Sequence, residues 1–258
     1  MTSFGRQFGL NATTYDAARP GYPDALFDQI AAALPPGGSI VEIGAGTGIA
    51  TRALLARGFR VTAVEPDAEM ARQLLASSVG DLEVVISDFE HYQGPRRSFD
   101  AVVCAQAWHW FASAYALRGV KRLLRRDGVF ATWWNIGSIV DEQRAGALAA
   151  VFRDTSHRLP VLFRRPDLNG TIQELARLLQ GDLGFYRVER LAFESSVSYT
   201  TERFVALMST MSEVLALDEV DRREVLKRLS EVIDEQVALT GLATEVAYAT
   251  LGFMAFRC

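Results

Sequence analysis

An apolar run that ends in three glycines at alternate positions constrains this 258-residue chain more than any other feature. The run is Ser39-Ile40-Val41-Glu42-Ile43-Gly44-Ala45-Gly46-Thr47-Gly48, and a helical pattern follows at once with Thr51, Ala53, Leu54 and Leu55. It reads as a buried strand, a tight turn and a helix N-terminus. Glycine removes Cβ atoms at the turn, so a ligand can lie directly on the backbone near the free N–H groups of the helix start. Strand, glycine turn and helix form the opening unit of a doubly wound α/β sheet, where ligands bind at the carboxyl ends of the strands.

The spacing narrows the ligand. A dinucleotide fingerprint requires G-x-G-x-x-G, but counted from Gly44 the last position is Ile49, and Gly48 falls one residue early. Glu42 opens the motif, and Glu65 ends the next apolar run, Phe59 to Val64. A carboxylate at that strand end accepts hydrogen bonds from two ribose hydroxyls, so it suits any nucleoside-bearing cofactor and does not discriminate between them.

Bulk properties exclude several classes. The composition, 49% hydrophobic and 22% charged, is that of an ordinary globular protein. A net charge of −4 argues against an extended nucleic-acid surface. Cys104 and Cys258 are too few and too far apart for a disulfide framework or a cysteine-rich metal site, and no metal is expected. Cys104, inside an apolar run, reads as core. No apolar stretch reaches the length of a membrane span and the N-terminus lacks a signal-peptide core, so the expectation is a cytoplasmic protein.

Taken in order, residues 1–22 carry the aromatics Phe4, Phe8, Tyr15 and Tyr22, and read either as a tail or as a lid over a ligand. A helix from Asp24 to Leu34 follows the Pro20-Gly21-Tyr22-Pro23 turn. Strands at 39–43, 59–65, 82–86, 99–104 and 128–134 alternate with helices at 48–57, 67–77 and 112–124, which predicts a parallel sheet covered by helices on both faces. Beyond Trp134 the rhythm breaks. Residues 140–183 read mainly as helices around a loop, 185–199 as a strand, 202–217 and 221–239 as helices, and 245–256 as a last strand. The late strands are expected to pair antiparallel at the sheet edge, with the helices at 140–183 and 202–217 capping the strand ends. One domain, 1–258, is expected: an N-terminal lid and helix (1–38), a core (39–136), a mostly helical substrate region (137–240) and a last strand (243–257).

Glu42-Ile43-Gly44-Ala45-Gly46-Thr47-Gly48 resembles the first motif of the class I S-adenosylmethionine-dependent methyltransferases. Glu65, Asp88-Phe89 and the segment Phe99 to Phe111 fall where that family places its later motifs. Tyr15 with Arg19-Pro20-Gly21-Tyr22-Pro23, and the last strand, resemble the small-molecule branch that includes trans-aconitate and ubiquinone-type methyltransferases. The likeness covers roughly 13–134 and the last strand, and is poor over 137–240. It implies a Rossmann-like, mostly parallel seven-stranded sheet with an antiparallel edge strand and a late helical cap.

The same resemblance implies roles. Glu42, Gly44, Ala45 and Gly46 belong to the motif that holds the methionine part, and Glu65, followed by Pro66, would hold the ribose. Asp88 would accept from the adenine amino group with Phe89 beside the ring, and Gln106 and Ala107 would line the pocket. Arg19 and Tyr15 would reach the cofactor's carboxylate or close over it, and packing of a helix on the sheet is the other role open to them. Methyl transfer is an in-line displacement, in which positioning supplies much of the catalysis. A general base helps only where the nucleophile must lose a proton, and His109 is the candidate, against an ordinary histidine in an aromatic cluster. Trp108 and Trp110 either wall the acceptor or anchor the next helix. His91 and His157 read as surface, and the basic run from Lys121 to Arg126 as a solvated helix end. The segment Gln106-Ala107-Trp108-His109 stands where amino-group enzymes acting on nucleobases or amides carry Asn/Asp-Pro-Pro-aromatic. A small-molecule acceptor, methylated on oxygen rather than carbon or nitrogen, is the expectation. The alternatives are a non-catalytic S-adenosylmethionine-binding protein and an NAD-dependent oxidoreductase, the latter disfavoured by Ile49 and by Asp88-Phe89.

Overall fold

A computed structural model describes residues 11–111, 113–154, 160–163, 169–181 and 184–258. The chain runs through α1 (Ala12–Ala18), α2 (Asp24–Ala32), β1 (Ser39–Ile43), α3 (Ile49–Leu55), β2 (Arg60–Glu65), α4 (Ala68–Ser77) and β3 (Leu82–Ile86). It continues through β4 (Phe99–Ala105), α5 (Ser113–Leu123), β5 (Leu124–Ile139), α6 (Glu142–Asp154), α7 (Asn169–Gln180) and β6 (Phe185–Tyr199). The last elements are α8 (Thr201–Ser209), α9 (Ser212–Leu215), α10 (Glu219–Thr240) and β7 (Thr244–Arg257). Phe4, Phe8 and His157 lie outside the described residues.

The strands form a seven-stranded sheet in the order β3-β2-β1-β4-β5-β7-β6. Strands β1 to β5 pair parallel, and β7 runs antiparallel to both β5 and β6. The antiparallel strand therefore lies one position in from the edge, and β6 forms the edge itself. Every residue of β4, Phe-Asp-Ala-Val-Val-Cys-Ala, is buried, as expected of a central strand covered on both faces. The chain reverses order at β1, whose neighbours are β2 and β4. That switch point opens a crevice at the strand carboxyl ends.

Two apolar layers hold the sheet. Alternation along the strands sends Val41, Val102 and Phe130 to one face, against Leu117 and Leu123 of α5. It sends Ile40, Val103 and Trp133 to the other, against Phe27 and Ile30 of α2 and Leu54 of α3. A third cluster joins α6, α8, α9 and α10 through Leu148, Phe152, Phe204, Leu207, Leu229 and Ile233, with Ile139, Tyr199 and Tyr248 from the strand ends beneath. This is the cap. Asp67 and Asp218 cap α4 and α10 by accepting two backbone N–H bonds each, and Gly241 (φ 68) ends α10 in the left-handed conformation.

The cap is smaller than the sequence suggests. Helix α7 leaves it and lays Leu175 and Leu179 on the sheet beside α5. Periodicity identifies an apolar face, not the surface it covers. The basic run differs too: Arg122 donates to the carbonyls of Tyr92 and Gly94 at 2.8 and 2.9 Å, tying the connection before β4, and Arg125 pairs with Asp100 at the start of β4.

Arg144 of α6 pins the cap to β7. It is 4% exposed and donates to the carbonyls of Leu242 and Ala243, to Gln236, and to the hydroxyls of Thr240 and Thr244. Arg144→Ala removes the hydrogen bonds that tie α6 to the end of α10, to the turn before β7 and to buried Thr244. We expect a loss of about 2–4 kcal/mol in a urea unfolding curve, and an unchanged midpoint would show that water replaces the guanidinium without cost.

Candidate active site

At the carboxyl ends of β1, β2, β4 and β5 lies a cavity of about 360 Å3, within the usual range for small-molecule sites. Its floor is Gly44, Gly46, Glu65, Gln106 and Ala107, and Ile49 and Met70 extend it along α3 and α4. Tyr15, Arg19 and Tyr22 close one side. The far wall comes from β5 (Trp134 to Gly137) and the cap, with Leu162, Leu207, Met211 and Tyr248.

The glycine turn is backbone-dictated. Gly44, Gly46 and Gly48 have φ of 66, 57 and 89, which disfavours a side chain at each. A Cβ at Gly44 would stand 2.7 Å from that of Ala107. The turn's N–H groups are spent internally: Gly44 and Ala45 donate to Val64 O at 2.8 and 3.3 Å, and Gly46 donates to Glu65 Oε2 at 2.8 Å. Glycine turn and strand end are thus one unit. What Gly44, Ala45 and Gly46 offer a ligand is close approach, since their own N–H groups are already paired.

Glu65 is 5% exposed, and its Oε1 accepts from Asp67 N at 2.9 Å. Burial raises its pKa to about 7 against the lowering effect of its two backbone hydrogen bonds. Glu42 lies beneath the turn, 1% exposed, accepting from Thr51 Oγ1 of α3 at 2.5 Å. Its pKa is also raised to about 7, by burial first and by the charge of Glu65 in addition, with the Thr51 bond opposing.

A raised carboxyl pKa means that the folded chain holds a proton which the unfolded chain releases between pH 4.5 and 7. The stability contribution is therefore full below the unfolded value and is lost as pH rises through the folded one. For Glu42→Gln, which stays neutral, we expect a stability gain over the parent that is absent at pH 4 and grows to at most about 3 kcal/mol by pH 8. Thermal melts across that range check it, and a pH-independent difference would contradict the assignment.

Of the residues singled out from sequence, Tyr15, Arg19, Gly44, Gly46, Glu65, Gln106, Ala107, His109 and Trp110 meet on the cavity wall. Six others do not. Glu42 is a strut under the turn. Ala45 packs on Ala63 and Leu74. Pro66 is half-buried off the wall. Asp88 takes the backbone N–H and ring Nδ1 of exposed His91 at 3.1 and 2.5 Å, which holds its pKa below the usual range despite desolvation. Phe89 is buried against Phe111 and Gly119 under α5. Trp108 is fully buried against Phe130 and Phe111, because the 3-10 turn Trp108–Trp110 points its first residue into the core and its third at the cavity.

Arg19 reaches the cap. Its Nε donates to Thr210 Oγ1 at 3.0 Å and a terminal nitrogen to Thr210 O at 2.8 Å, and its guanidinium covers the Tyr15 ring at 4.8 Å. It therefore joins the N-terminal segment to the end of α8 as well as lining the cavity. Gln106 sits in the left-handed region (φ 58), its N–H on Trp133 O and its amide on Asn135 O.

His109 does not fit a base poised near neutrality. Its Nδ1 accepts from the indole N–H of Trp134 at 3.2 Å, which occupies that lone pair, and desolvation of the ring lowers its pKa although the residue as a whole is exposed on the cavity wall. Sequence reasoning passed over Asn135, Leu207, Met211 and Tyr248. Asn135, a polar residue at the end of β5, had a local signal. The cap residues had none, because the cavity that gives them meaning is assembled by tertiary structure.

Comparison with known proteins agrees with this architecture. Residues 41–132 match the methyltransferase domain family. An uncharacterized methyltransferase of Mycobacterium tuberculosis is 36% identical over 129 residues, and the match spans about half of either chain (50% and 51%). An uncharacterized methyltransferase of Schizosaccharomyces pombe is 27% identical over 232 residues, 89% of this chain and 88% of its own. Among solved structures, a putative type II methyltransferase from Anaeromyxobacter dehalogenans superposes with a TM-score of 0.63 at 24% identity, over 93% of this chain and 97% of that one. Residues 41–132 thus carry a methyltransferase domain, on a Rossmann-like fold shared with solved methyltransferase structures.

Proposed function

We propose that this chain transfers the methyl group of S-adenosylmethionine to a small-molecule acceptor, at oxygen. The observation that carries the reading is a single cavity with two chemically different halves. One half is the glycine turn with Glu65 facing it, which suits a nucleoside joined to an amino acid. The other is apolar, walled by Trp110, Trp134, Ile136, Leu162, Leu207 and Met211, with His109 and Tyr248 as polar points.

The cofactor supplies an electrophilic methyl on a sulfonium, and the residues present do the rest. Glu65 takes the ribose hydroxyls, and Gly44 and Gly46 allow close backbone approach. Arg19 and Tyr15 close the open side. The apolar half excludes water and holds the acceptor in line with the methyl, which accounts for most of the rate. A cavity of this size, roofed by the cap, admits a small molecule and not a folded macromolecule. No helix of the described residues is long and apolar enough to cross a membrane.

Incubation with methyl-labelled S-adenosylmethionine and a panel of small carboxylic acids, phenols, alcohols and amines tests the proposal. Label in the acids or phenols supports oxygen transfer. Label confined to amines would contradict it.

A further inference from the structure

One polar point of the apolar half, His109, is hydrogen-bonded through its ring to a strand residue. We infer that Trp134 holds His109 as the neutral Nε2–H tautomer, so that this histidine presents the acceptor with a hydrogen-bond donor and not with a base. The part of the inference that concerns the acceptor rests on the methyltransferase reading. The tautomer itself does not.

Indole has one polar hydrogen and no acceptor, so the contact at 3.2 Å runs from Trp134 Nε1 to His109 Nδ1. The lone pair of Nδ1 is thereby occupied, and the ring proton resides on Nε2. Trp134 cannot easily turn away. It lies in β5, 1% exposed, within the apolar layer under α5, where an unpaired N–H is costly. The His109 ring is also held by Trp110, whose centroid is 4.9 Å distant. The other ionisable groups on the cavity wall are Tyr15, Arg19, Tyr22, Glu65, Glu213 and Tyr248. None of them lowers the basicity of His109; the Trp134 bond to Nδ1 opposes protonation there, and desolvation of the ring acts in the same direction although the residue is exposed on the wall.

The consequence is chemical. An N–H on the wall orients an acceptor oxygen through one lone pair and leaves another for the methyl. Because His109 does not take the proton, the acceptor that suits this arrangement arrives already ionised, as an oxygen acid deprotonated near neutral pH. In the displacement an oxygen lone pair forms the O–CH3 bond, the S–CH3 bond breaks with its electron pair left on sulfur, and no proton moves. Anion and sulfonium are neutralised together. His109 is then a catalytic residue by contact, and Trp134 a positioning residue acting through it.

Long-range 1H–15N correlation spectra of the full chain labelled at histidine test this between pH 5.5 and 8.5. The chain has three histidines, and His109→Gln assigns the signal. We expect an acceptor-type Nδ1 and a protonated Nε2 for His109, with no titration step in that range. In Trp134→Phe the Nδ1–H form should become populated. A wild-type Nδ1–H tautomer, or a titration midpoint near 6.5, would overturn the inference whether or not the Phe variant folds. Calorimetry with S-adenosylmethionine on the same sample separates the two claims: failure to bind defeats the methyltransferase reading and leaves the tautomer result standing. For any acid that accepts label, His109→Gln should raise KM and leave the pH dependence of kcat unchanged, and a kcat limb abolished by the substitution would restore the base.

Discussion

Replacing Glu65 by alanine should weaken S-adenosylmethionine binding by roughly 30- to 150-fold, the equivalent of about 2–3 kcal/mol. Two effects add. The ribose loses a carboxylate, and the N–H groups of Gly46 and Asp67 lose the acceptor that fixes the turn against β2. In the fold, the loss of those two bonds is offset by removal of a buried carboxyl whose pKa of about 7 marks its poor solvation, so the melt should shift less than the affinity. Isothermal titration reads the affinity and a thermal melt the fold. Glu83→Ala, on the exposed side of β3, is the control and should change neither. The parent's affinity should also fall as pH drops through 7, since protonation removes the charged acceptor. Affinity unchanged in Glu65→Ala would remove the ribose assignment.

Gly44→Val should abolish detectable cofactor binding. The position has φ 66, a region that a β-branched residue enters only with strain. Its Cβ would also stand 2.7 Å from the Ala107 side chain, across the floor of the cavity. Strain and overpacking together should cost about 2–4 kcal/mol of stability, which a urea curve measures alongside the titration. Gly146→Ala in α6, where an added methyl meets nothing within 4 Å, provides the contrast. Helix propensity predicts a gain of about 0.5–1 kcal/mol there and unaltered binding. A Gly44→Val chain that binds normally would mean that the ligand does not lie on this turn.

The first half of the architecture was legible because its signals are local. An apolar run with no polar face, a glycine turn and a capped helix each report on neighbouring residues, and their repetition from β1 to β4 specifies a parallel sheet. Glu65 was legible for the same reason, as a carboxylate ending a buried run. Direction of packing was not. Trp108 and Trp110 look equivalent in sequence, yet the 3-10 turn points one into the core and the other at the cavity. Asp88 sits at the strand end where a ligand contact was expected, and its Oδ1 is engaged by the backbone N–H and ring of His91, a pairing that no spacing rule announces. Helix α7 carries the same apolar period as the cap helices and packs elsewhere. His109 was found as a candidate, while its role depended on an indole 25 residues away, which no spacing rule connects.

The most direct test of the central claim is calorimetric titration of the purified chain with S-adenosylmethionine, S-adenosylhomocysteine and NADH. This account predicts saturable binding of the first two and none of the third. Binding of NADH without the other two would contradict it at the glycine turn.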